Sequence, residues 1–505
     1  MNIQQAKQEI KNTLCAYLAK DDMGNYLLSS IQQRPLLLMG PPGVGKTQIM
    51  RQVAQEAGVG LVSYTITHHT RQSAVGLPMI SQKTYDNQQF SVTEYTMSEI
   101  IASVYETMQQ TGLREGILFI DEINCVSETL APTMLQFLQC KTFGNQSVPK
   151  GWLIVAAGNP PEYNKSVREF DVVTLDRLRR IDIQPDLTVW KQYAHTTKVH
   201  PAILTYLELH PEYFYRITQD VDGMQFVTAR GWEDLSALLL IYQQMQIEVE
   251  EGLIAQYLQH PEIAADFAAY LSLYYKYGND YGIEDILAGK PASSSYAQAQ
   301  AAGFDERLSL TGLLLAGLET RFSAAMQADA LADDCFEIIK RFKAGLNSEI
   351  SDFTTQFETC VQQKQQEMEQ KKTAELLSAK QERQSLRCLK WLEQACLALS
   401  QSNPTDEESA LNVLRQKFAV LKENRSEMFE TASFALESAF TFLENAFDAG
   451  QEILMFVTEL GMGTDSAAFL AQNPCERYHH YANTLLVNGA SARILQEIAA
   501  DKARS

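Results

Sequence analysis

A P-loop α/β core, built as a parallel sheet flanked by helices and followed by an all-α lid and a further all-α C-terminal domain, is the fold class the sequence predicts. Three observations carry it. Short wholly apolar runs, Leu36 to Met39, Ile117 to Ile120 and Leu153 to Ala157, each stop at a glycine or a polar residue, as strands buried on both faces do. Gly40, Gly45, Lys46 and Thr47 fit G-x-x-x-x-G-K-[ST] between an apolar strand and a helical pattern, the context of a phosphate-binding loop. Beyond Asp186 apolar residues recur at helical spacing to the end of the chain.

Taken in order, residues 2–19 place Ile3, Ala6, Ile10, Leu14, Tyr17 and Leu18 on one helical face. A second short helix is expected over 25–32. The strand Leu36 to Met39 breaks at Gly40, and a helix runs from Thr47 to about Ala57. Gly58 to Gly60 end it, and Leu61 to Thr65 form the second strand. His68, His69, Thr70 and Arg71 read as a polar loop leaving that strand. Adjacent histidines rarely point at one ion, and no third ligand stands at helical spacing. Residues 75–98 read as a hairpin turning at Asp86-Asn87, and a helix follows from Thr96 to about Gln110.

The next segment, Gly116-Ile-Leu-Phe-Ile-Asp-Glu-Ile-Asn124, sets two acids at the carboxyl end of a buried strand, where α/β sheets bind ligands. In the loop, glycines let the backbone wrap a phosphate: the amides of Gly40, Pro41, Pro42, Gly43, Val44, Gly45, Lys46 and Thr47, prolines excepted, converge on negative charge. Lys46 reaches for the β- and γ-phosphates of ATP, Thr47 and Asp121 for Mg²⁺, and Glu122 for the attacking water. Gly151-Trp-Leu-Ile-Val-Ala-Ala-Gly-Asn159 is another buried strand, with Asn159 placed to position the same water. Asp176-Arg-Leu-Arg-Arg180 offers an arginine for phosphoryl charge, Arg177 first, with Arg179 or Arg180 as substitutes.

These pieces, with Thr228-Ala-Arg-Gly-Trp232 after them, stand in the order of an AAA+ ATPase, and the chain resembles the MoxR-type branch over about residues 20 to 290. The resemblance makes Asp121 and Glu122 the Walker B acids, Asn159 sensor 1, Arg177 the arginine finger and Arg230 the sensor 2 arginine of the lid. Thr70-Arg-Gln-Ser-Ala-Val-Gly-Leu-Pro78 resembles the segment leading to that branch's inserted hairpin. It also implies a ring, usually a hexamer, with ATP between subunits. It further implies a chaperone-like remodeller acting on a client, commonly one with a von Willebrand factor A domain. Ala229 stands where the branch often has proline before the arginine.

The expected domains are 1–185, the nucleotide-binding part, 186–290, the lid, and 304–505, a helical interaction domain, with 289–303 of linker composition. Residues 361–384, rich in Gln, Glu and Lys, suggest a solvated helix or one arm of a helical hairpin. Tyr478, His479, His480 and Tyr481 cluster near the end, too few ligands for a metal. The 505 residues carry a net charge of -20, which argues against a nucleic-acid-coating protein. A nucleotide-driven motor of a nucleic-acid-directed defence or restriction system, using ATP or GTP, is the alternative reading, and a nucleotide-binding scaffold is a third. The eight cysteines show no C-x-x-C spacing and read as reduced thiols. With no export signal and no apolar run near the ~20 residues of a membrane span, the expected location is the cytoplasm.

Overall fold

The computed structural model describes residues 1–68, 72, 74, 76–143, 146–163, 167, 170–220, 223–346, 352–373, 376–447 and 450–485. His69, Thr70 and Arg71 of the expected polar loop lie outside them. The chain packs as two compact units. One is Met1–Val189 with Gln365–Arg383, the other Trp190–Lys364 with the residues from Gln384 onward.

The first unit holds the sheet. Helix α1 (Ile3–Leu18) opens with a capping box in which Asn2 and Gln5 satisfy each other's backbone amides. Strands β1 (Leu36–Met39), β2 (Gly60–Thr65), β5 (Gly116–Asp121), β8 (Trp152–Gly158) and β9 (Arg179–Asp182) pair in parallel in the order β2-β5-β8-β1-β9. Alternate residues of each strand point to opposite faces. Leu36, Leu38, Ile117, Phe119, Val155 and Ile181 pack under α1 and α2 (Lys46–Ala57). Leu37, Leu118, Ile120, Ile154 and Ala156 pack under α3 (Glu99–Thr111) and α4 (Ala131–Cys140). The hairpin β3 (Pro78–Tyr85) and β4 (Gln88–Tyr95) turns at Asp86 and Asn87, both with positive φ, as a two-residue turn requires, and β6 (Thr142–Phe143) pairs with β7 (Gln146–Ser147).

One expectation for this unit is corrected, and one strand carries no sequence signal of its own. Residues 25–32 are not a helix: Lys20 and Tyr26 form an antiparallel bridge around a turn in which the Asp21 carboxylate accepts the Met23 and Asn25 amides. An aspartate bonding its own downstream backbone competes with helix. The charge run after Asp176 contains a strand, β9, whose register with β1 matches Arg179 to Leu36 and Asp182 to Met39. Its single large apolar residue, Ile181, hid it; an edge strand needs little more.

The second unit is dominated by two long helices, Phe304–Gly345 and Glu407–Phe447, that pack along one another. Within 186–289 the helical expectation is corrected by an antiparallel hairpin, Arg216–Asp220 with Gly223–Val227. The linker-like stretch 289–303 contains a helix, Ser293–Ala301. Its small residues allow a close fit: Ala299 is fully buried and Tyr296 stacks on Phe442 at 4.9 Å. Helix Leu187–Thr197 is tied to helix Gln451–Met462 by a buried charge cluster, in which Lys191 and His195 both meet Glu459. Among the described residues, no single helix is long and apolar enough to cross a membrane.

Candidate nucleotide site

The carboxyl ends of β1, β5 and β8 lie side by side in the sheet, and the sequence-predicted residues follow directly on them. After β1 the loop turns through Gly43 and Gly45, with φ of 75° and 91°, values that residues other than glycine rarely adopt. Gly45 is the N-cap of α2 and no side chain caps that end. The helix therefore presents its positive dipole end to the loop. Gly40 packs so closely on the residue after β9 that a Cβ there would lie 2.8 Å from the Ile183 carbonyl oxygen.

Lys46 is buried, and its ammonium donates to the carbonyls of Gly40 at 2.8 Å and Pro41 at 2.9 Å and to Asn159 Oδ1 at 2.8 Å. Beside it the Thr47 hydroxyl donates to Asp121 Oδ2 at 2.7 Å. The phosphate loop, the acidic strand end and Asn159 thus meet in one place.

Glu122 has a left-handed backbone, φ 57° and ψ 35°, at the start of the 3-10 turn Ile123–Cys125. That conformation is costly for a residue with a side chain and is concentrated at functional sites. The Thr67 hydroxyl donates to the Glu122 carboxylate Oε2 at 3.0 Å. Burial, then the Glu122 and Asp121 carboxylates, push the Cys125 thiol up. Asn124, in the same turn, is 1% exposed. Its Nδ2 donates to the Asn159 carbonyl at 2.7 Å, and its Oδ1 accepts the Asn159 amide at 3.3 Å. Sequence reasoning missed Thr67 and Asn124. Thr67 stands at a strand end by position alone, whereas Asn124 follows the acidic pair in the same polar strand terminus.

The arginines separate. Arg177 is exposed just beyond the short helix Val172–Leu175 and donates to Gln139. Arg179 lies in β9 and bonds Thr13 and Glu9 of α1, and Arg180 bonds Asp182. Arg230 belongs to the second unit, in the first turn of helix Ala229–Met245, where the Thr228 hydroxyl caps the Gly231 amide. It is exposed.

The donor set fits a nucleoside triphosphate with a hard divalent cation. Backbone amides at a helix start suit phosphate oxygens. A hydroxyl and a carboxylate in contact, Thr47 and Asp121, are the oxygen ligands Mg²⁺ takes alongside water and phosphate. Among the described residues no group of three or more His, Cys, Asp and Glu could hold a metal ion.

Comparison with known proteins agrees with this chemistry. Residues 36–175 match the family described as ATPase family associated with various cellular activities (AAA). No curated protein matches the chain. Among solved structures it is similar to a "putative ATPase" from Cytophaga hutchinsonii ATCC 33406, with 14% identity and a TM-score of 0.23 over 39% of this chain. The match covers 50% of that protein's length. Over residues 36–175 the chain therefore carries an ATPase domain of the AAA family.

Proposed function

We propose that the protein is a MoxR-type AAA+ remodeller. It hydrolyses ATP between subunits of a ring, commonly a hexamer, and spends the cycle on a client protein with a von Willebrand factor A domain. The convergence of Lys46, Thr47, Asp121 and Asn159 carries the nucleotide part of this reading. The motif order through Arg177 and Arg230 supports the branch.

In this reading the loop amides and Lys46 bind the β- and γ-phosphates, so Lys46 exchanges its loop carbonyls for phosphate oxygens. Thr47 and Asp121 would hold Mg²⁺, which neutralises developing phosphate charge. Glu122 orients the attacking water and accepts its proton, and Asn159 fixes the water's other side. Arg177 reaches the γ-phosphate of the neighbouring subunit. Its exposure supports this, as does the pair Val172 and Val173 beside it, 81% and 60% exposed, which would pack against that neighbour. Arg230 acts from the lid, residues 186–290. Together with the interaction domain, 304–505, that lid would move against the client.

Glu122→Gln is the trap that tests the proposal. Loaded with ATP and used for affinity capture from native extract, it is expected to retain a protein with a metal-binding von Willebrand A domain. Recovery of a nuclease or nucleic acid instead would favour a motor in a nucleic-acid-directed system.

A further inference from the structure

We infer that Asn124 is a positioning residue for hydrolysis: its buried carboxamide fastens the turn that carries Glu122 to the strand end that carries Asn159. The inference rests on the roles just proposed for those two residues. A single side chain takes up both backbone polar groups of Asn159, donating to its C=O at 2.7 Å and accepting from its N–H at 3.3 Å. Two bonds from one planar amide fix orientation as well as distance. Asn124 is 1% exposed, so water does not compete for either bond.

The fastening sits where three chain segments meet. Gly158, the residue before Asn159, bonds the start of the phosphate loop through Gly40 N–H, at 3.4 Å. Gly158 also lies flat against the Asn124 amide. A Cβ at Gly158 would be 2.6 Å from Asn124 Oδ1 and 2.9 Å from its Cγ, so the contact leaves no room for any side chain. From there the Asn159 side chain reaches Lys46 at 2.8 Å. Glu122, two residues before Asn124, has the left-handed backbone that opens the turn Ile123–Cys125 holding Asn124. The spacing between the group that activates water and the group that positions it is therefore set through Asn124, which touches neither phosphate nor water. Reacting groups displaced by about 1 Å lose on the order of 100-fold in rate.

The test measures kcat, KM and nucleotide affinity in the full-length protein. Asn124→Ala is expected to lower kcat about 10- to 100-fold while KM stays within about threefold, the split that marks loss of transition-state positioning. In Asn124→Asp the new oxygen facing the Asn159 carbonyl donates only when protonated. Its deficit relative to wild type should shrink as pH falls from about 8 to about 6, because burial raises the carboxyl's pKa. Gly158→Ala should cost turnover in wild type but little in the Asn124→Ala background, where the added methyl has space. This coupling separates the fastening from general loss of folding. Turnover of Asn124→Ala within about twofold of wild type, or strictly additive losses in the double variant, overturns the inference. Glu122→Gln run alongside separates the two failures: if it turns over ATP like wild type, the site assignment itself is wrong.

Discussion

Lys46 offers three N–H groups and donates to carbonyls of its own loop at Gly40 and Pro41 and to the Asn159 side chain. An ammonium held in this way is already desolvated and aimed, so little further ordering is needed when phosphate oxygens arrive. Hydrogen bonds to charged groups contribute about 1.5–3 kcal/mol each. Lys46→Ala should therefore weaken ATP binding about 10- to 100-fold by fluorescent-nucleotide titration, and unchanged affinity would remove Lys46 from the site. Glu122→Gln should behave differently. Glutamine meets the same left-handed backbone as glutamate, and its side-chain oxygen still accepts from Thr67. The substitution alters proton acceptance and little else. ATP binding is expected to remain while turnover falls at least about 100-fold, at the low end of general-base contributions. A turnover loss matched by an equal affinity loss would point to damage rather than chemistry.

Helix Pro201–Leu209 shows how a single titrating group can govern an element. His200 is its N-cap: Nδ1 accepts the Ala202 amide at 3.2 Å, and Nε2 meets the Tyr275 hydroxyl at 3.2 Å. Burial, opposed by a hydrogen bond with Gln243, pushes its pKa down from 6.5 to about 4. The folded form keeps the ring neutral, while the unfolded chain takes up a proton below pH 6.5, so stability is lost as pH falls from about 6.5 toward about 4. The full loss is on the order of 3 kcal/mol. His200→Asn retains a capping oxygen without the titration. The melting temperature of the variant should fall less than that of wild type between about pH 7 and about pH 5; parallel declines would assign the acid sensitivity elsewhere. Elements with strong local signals were legible in the sequence in this way: β1, β5 and β8 from their apolar runs, the hairpin from Asp86-Asn87, the phosphate loop from its glycines. Elements that depend on neighbours were not. β9 is a strand because β1 offers it an edge, and Ser293–Ala301 is a helix because Tyr296 stacks on Phe442 and Ala299 is buried. The site divides likewise. Lys46, Thr47, Asp121, Glu122 and Asn159 have motif spacing, whereas Thr67 and Asn124 matter through contacts that arise only after folding.

At the scale of the assembly, the chain bears a half-site on each of two surfaces, if ATP is hydrolysed between subunits. Lys46, Asp121 and Glu122 form one, and Arg177, exposed just beyond the helix Val172–Leu175, forms the other. All three arginines bond an acceptor, Arg177 through Gln139, but Arg179 and Arg180 are held within β9 whereas Arg177 precedes it. A head-to-tail ring joins unlike surfaces repeatedly, so each active site draws residues from two chains. Arg177→Ala should then assemble and bind ATP yet turn it over poorly, as loss of an arginine finger removes roughly 10³-fold or more in rate. Mixed with Glu122→Gln, it should regain activity. A site is whole when an Arg177→Ala subunit holds the nucleotide and a Glu122→Gln subunit supplies the arginine. Random mixing at equal amounts makes about a quarter of interfaces of that kind, so about a quarter of wild-type turnover is the expected maximum in a closed ring. Turnover measured across mixing ratios should peak near equality and vanish at both ends. A flat, inactive series would mean that Arg177 serves its own chain's nucleotide or none. With each variant alone assembled and binding ATP, that result would count against the shared site rather than against the ATPase.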